Sequence, residues 1–108
     1  MAYLPYHVVT EFGESFDVNL PLHEQTESAV RVAQLLSTIL GALDKDITVM
    51  GETANGDVLQ AVAMALAIRA RIVPVPFDVS IELTSELLDT ALAAVARVDA
   101  HYPTAGNA

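Results

Sequence analysis

The chain of 108 residues contains no cysteine. This excludes a disulfide framework, a thiolate metal site and a cysteine nucleophile, and it is the usage expected of a cytoplasmic protein. Cations are also scarce: five Lys and Arg stand against fourteen Asp and Glu, a formal net charge of −9. Those five, Arg31, Lys45, Arg69, Arg71 and Arg97, are scattered along the chain. Phosphate backbones and anionic lipid surfaces are held by clustered cations, so neither nucleic acid nor membrane is an expected partner. The acidic surplus serves solubility, and a protein so charged can also occupy a basic groove on another protein. Aromatic residues make up only 6% of the chain. Its longest uninterrupted apolar run, 61–68, falls well short of the roughly 20 residues of a membrane span. The first residues, Met1-Ala2-Tyr3-Leu4-Pro5, carry neither the basic nor the apolar region of a secretory signal.

Apolar residues nevertheless make up 53% of the sequence, mostly Ala, Val and Leu. That is ample to drive folding of a single domain, expected over residues 1–102, with a frayed tail at 103–108.

The first twenty residues alternate with period two. Tyr6, Val8, Thr10 and Phe12 share one face, and Phe16, Val18 and Leu20 continue the pattern beyond Gly13. This predicts a β-hairpin whose second strand stops at Pro21. Thr26 is positioned to cap a helix over 27–43, with Ala29, Val32, Ala33, Leu36, Ile39, Leu40 and Leu43 on one stripe. Ile47-Thr48-Val49-Met50 reads as a short strand, and Gly51 to Gly56 as a turn. Asp57 then caps a second helix over 58–72, with Gln60 at the reciprocal capping position. Only Gln60, Arg69 and Arg71 are polar in that helix. A rod that is apolar around its whole circumference is normally covered on every side, here by the rest of the chain or by a second copy. After Pro74 and Pro76, alternation of Phe77, Val79, Ile81 and Leu83 predicts another strand. Thr84 would cap a third helix whose apolar face carries Leu88, Ala91, Leu92, Val95, Val98 and Tyr102.

The expected class is therefore α+β, in the order ββαβαβα, with a small mixed sheet and three helices. Without the strands at 47–50 and 77–82, it reduces to a mainly helical three-helix domain with an N-terminal hairpin.

Chemical motifs are sparse. His23-Glu24-Gln25-Thr26-Glu27 has the spacing of a zinc-binding helix, but Glu27 replaces the second histidine, so no metal or cofactor is expected. Gly51 to Gly56 has the glycine spacing of a phosphate loop, but Asp57 and Val58 replace the Lys and Ser/Thr that bind phosphate and its metal. As a ligand site of another kind, that turn offers Glu52, Thr53, Asn55 and Asp57. No nucleophilic elbow or local Ser/His/Asp grouping occurs, and no catalytic residue is named. Asp99 would fall on the apolar face of the third helix, where an ion pair with Arg69 or Arg71 could satisfy it. Ala61 and Ala65, four apart, permit close helix approach. With Arg69, Arg71 and Asp99 they form the expected subunit interface. The sequence thus points to a non-enzymatic homo-oligomer, most simply a dimer, that contacts another protein in a regulatory or accessory role. The competing expectation is a small-molecule-binding domain or small enzyme built on the 51–57 turn. An acidic mimic of nucleic acid would instead require rows of carboxylates on one surface.

Overall fold

The computed structural model describes residues 2–9, 13 and 15–98. It is an α+β fold of five elements: strands β1 (Tyr3–Val9) and β2 (Ser15–Pro21), then helices α1 (Ala29–Met50), α2 (Asn55–Ile72) and α3 (Phe77–Val95). Thr10 and Phe12 of the expected hairpin face, Asp99, Tyr102 and the 103–108 tail lie outside the described residues.

The hairpin forms where period-two alternation places it. β1 and β2 are antiparallel, with Leu4 opposite Leu20, Tyr6 opposite Val18 and Val8 opposite Phe16. These pairs supply the inward face; Val18 is buried and the others are half-buried. Gly13 has a φ of 94°, and Pro21 is the last strand residue. On the outer face His7 lies opposite Asp17, with Nδ1 and Oδ1 2.6 Å apart.

The two further strands are absent, and the structure corrects both. Residues 47–50 are the last turn of α1. The expected helical stripe continues in phase through them: Ala29, Ala33, Leu36, Leu43 and Ile47 are half-buried, with Leu40 between, at alternating spacings of four and three. The Thr48 hydroxyl donates to the Asp44 carbonyl at 2.8 Å, so a β-branched polar residue is satisfied inside the helix. The start of α1 also moves. Ser28, not Thr26, is the cap, its oxygen accepting from the Arg31 backbone N–H at 3.1 Å. Gly51 ends the helix with φ 94° and ψ −162°, and its N–H bonds to the Ile47 carbonyl at 2.8 Å.

Likewise residues 77–82 open α3. Pro76 stands at its N-cap rather than Thr84, and Ser80, Thr84, Ala91 and Ala94 turn inward at helical spacing. Their small size admits β2 and α2 close to the helix axis. It also leaves Phe77, Val79, Ile81 and Leu83 outside, although their alternation resembles that of a half-buried strand. In α2, Ala54 takes the cap position predicted for Asp57, which lies in the first helical turn and favours the positive dipole end. The three-helix arrangement with an N-terminal hairpin is thus the one observed.

Packing is open. α1 rests on β1, where the Tyr6 hydroxyl and Ser37 Oγ are 2.9 Å apart. β2 rests on α3, and α3 on α2. Among the described residues, no Cα of α1 comes within 8 Å of one in α2 or α3. Packed helices have axes only about 8–10 Å apart, so the three do not close into a bundle. Among the described residues the buried apolar ones are Val18, Ala70 and Ala94, and no large side chain is fully buried. No helix among the described residues is long and apolar enough to cross a membrane.

Candidate interaction surface

The dominant surface feature begins with the composition of α2. Its contacts are with α3, close to the 73–76 turn that joins the two helices. There Ser80 donates to the Ala70 carbonyl at 2.7 Å, and both residues are buried. That carbonyl belongs to the last turn of α2 and has no partner within its own helix, so the serine both caps α2 and ties it to α3. Nearby, the Arg71 guanidinium carbon lies 4.7 Å from the centroid of the Phe77 ring, a cation–π contact.

Apart from Val58, which is half-buried in a cleft lined by β1 and α1 residues, the side of α2 away from α3 is exposed. Leu59 is 71% exposed, Met64 55%, Ile68 61% and Ile72 58%. At 100° per residue, Asp57, Ala61, Met64, Ile68 and Arg71 form one stripe on the side opposite Val58, Val62 and Leu66, and all five are exposed. Their spacings of four, three, four and three match the seam of a left-handed helix pair. The predicted interface residues Ala61, Ala65, Arg69 and Arg71 are all exposed on α2. Asp99 is outside the described residues, and among those described no carboxylate pairs with Arg69 or Arg71.

Charge separates the three helices. α2 holds Arg69 and Arg71 against Asp57 and is the one with a cationic surplus. α1 is balanced, with Arg31 and Lys45 against Asp44 and Asp46. α3 carries Asp78, Glu82, Glu86 and Asp89 along one exposed side and no cation. That row makes α3 repel its own copy.

The predicted ligand turn has different surroundings from those expected. Glu52 and Thr53 are exposed on the connection between two helices and Asn55 and Asp57 in the first turn of α2, not at the end of a sheet strand. Thr53 donates to the Gly51 carbonyl at 3.1 Å, and Asn55 opens α2. Gly51 serves as a helix stop, with φ 94°.

His23 lies in a turn ahead of α1, where the Thr26 N–H bonds to its carbonyl at 3.0 Å. Residues 23–27 are therefore not one helical turn, and the two ends of the zinc-like motif do not share a helix face. Sequence inspection missed the partner His23 does have. Its Nε2 is 3.7 Å from Glu86 Oε2, across a cleft of about 680 Å³ lined also by Pro21, Leu22, Thr26 and Thr90. Nδ1 accepts the Gln25 backbone N–H at 3.1 Å, which places the proton of the neutral ring on Nε2, facing the carboxylate. No spacing rule joins residues 63 apart, so the pair had no sequence signal.

A scan against protein-family models, a search of curated proteins and a search of solved structures each returned no match.

Proposed function

We propose that the chain is a non-enzymatic, self-associating interaction domain, a dimer whose two copies complete each other's core, working in the cytoplasm as a regulatory or accessory partner of another protein. One observation carries the reading. Three helices and a hairpin are formed, yet among the described residues no large side chain is fully buried and apolar residues of α1, α2 and α3 face outward. Scattered apolar residues on a surface are ordinary. A chain with 53% apolar residues and almost no interior is not, because burial is the main term offsetting the entropy of ordering. A second copy is favoured as the cover because α2, the most evenly apolar element, is also the helix with a surplus of cations in a chain of net charge −9. Two copies meet there without the repulsion that the acidic side of α3 would impose.

Sedimentation velocity on the full chain at micromolar concentration tests this. The expected mass is twice the 11.5 kDa of one chain, and Ile68→Glu, placing a charge in the exposed stripe, is expected to yield a monomer. A wild-type chain that sediments as a monomer overturns the proposal. The competing reading, a small-molecule site at the 51–57 turn, requires ligand-induced thermal shifts that vanish in Glu52→Ala or Asp57→Ala.

A further inference from the structure

We infer that the two copies meet through α2 in antiparallel orientation, with Asp57 of each chain against Arg71 of the partner subunit; the inference rests on the self-association proposed above. The exposed stripe Asp57, Ala61, Met64, Ile68 and Arg71 begins with an anion, ends with a cation and is apolar between them. Met64 stands midway. A twofold axis at Met64 sets Asp57 opposite the partner's Arg71 at one end and repeats the pair at the other, as an isologous interface must. A parallel pairing brings Asp57 against Asp57 and Arg71 against Arg71, two like-charge contacts in place of two complementary ones. Antiparallel packing also opposes the helix dipoles, and the two pairs gain from them, since Asp57 lies in a first turn and Arg71 in a last.

Two local features suit this geometry. Ala61 and Ala65 stand beside the axis, where bulk would hold the backbones apart. The Arg71 guanidinium carbon lies 4.7 Å from the Phe77 ring centroid, a cation–π contact that leaves its N–H groups available to a carboxylate. α3 lies against the side of α2 that carries Ala70, meets the stripe at Arg71 through Phe77, and leaves Asp57, Ala61, Met64 and Ile68 exposed. Its own carboxylates disqualify it as a self-pairing face, though not as a partner for α2 of another copy.

Charge reversal distinguishes the arrangements. Asp57→Arg alone and Arg71→Asp alone each convert both pairs to like charges, and each is expected to raise the dimer dissociation constant roughly tenfold or more. The double variant D57R/R71D, with the pairs reversed, is expected to return near the wild-type value. An equimolar mixture of the two single variants is expected to form heterodimers. Because the chain has no cysteine, oxidative cross-linking adds a positional readout. Met64→Cys, at the axis, is expected to form an intersubunit disulfide. Ile72→Cys, displaced from its own copy by about 24 Å along the helix, is not. A dimer that tolerates both single reversals, or cross-links at Ile72→Cys and not at Met64→Cys, overturns the antiparallel α2 pairing and leaves self-association standing through another face. A wild-type chain that is monomeric overturns both.

Discussion

The Ser80 hydroxyl reaches from one helix into the last turn of another, and the carbonyl it serves is buried. Ser80→Ala removes the donor and leaves the Ala70 oxygen unpaired, for an expected loss of about 1–3 kcal/mol in urea unfolding. Thr90→Ala, whose 3.1 Å bond to the Leu87 carbonyl is exposed, is expected to change stability by less than about 0.5 kcal/mol. Two glycines make a second contrast. Gly51 has a φ of 94° and a ψ of −162°, a region that side chains rarely enter, so Gly51→Ala is expected to cost about 1–3 kcal/mol. Gly41 sits within α1 with nothing within 4 Å of where a Cβ would stand, so Gly41→Ala is expected to stabilise by about 0.5–1 kcal/mol. Of these positions, Gly51 was legible as a chain-direction signal, although it closes a helix instead of following a strand. Ser80 was not legible, because a single hydroxyl carries no periodicity and its partner lies ten residues away on another helix.

At the level of elements, the hairpin was readable because alternation, Gly13 and Pro21 agree, and nothing in 3–21 also satisfies a helical period. The segments 47–50 and 77–82 satisfied both periods. Ile47 continues the four–three spacing of α1, while Thr48 and Val49 bring the β-branched composition of a strand. Phe77, Val79, Ile81 and Leu83 alternate perfectly, yet Ser80 and Thr84 are the residues that turn inward. A hydrophobicity pattern assumes that apolar residues face the interior. It fails in α3, where small residues make the contact within the chain and the larger apolar ones are exposed. The sign of one substitution tests the helical assignment of 47–50. Val49→Ala is expected to raise stability by about 0.5 kcal/mol, since Ala is the better helix former. In a strand the same change would lower it. The turn at 51–57, chosen as a ligand site because a strand should precede it, lost that rationale when α1 ran through to Met50. Ala61 and Ala65, named for the all-round apolar character of α2, are exposed on it.

For the molecule as a whole, fold and assembly are inseparable in this account. Among the described residues α1 packs on β1, α2 packs on α3 and is otherwise half-buried only at Val58, and the buried residues are small. Such a chain is stable to the extent that another copy covers it, which makes unfolding a dissociation as well. Stability then depends on protein concentration by mass action, as for obligate dimers with no stable folded monomer. The direct measurement is the thermal midpoint of the wild-type chain across a hundredfold range of concentration. The account predicts that the midpoint climbs by several degrees over that range and that this dependence disappears in Ile68→Glu together with most of the stability. A wild-type midpoint that stays fixed, with a cooperative transition, would contradict it, because the isolated chain would then hold together without the partner that its exposed helices require.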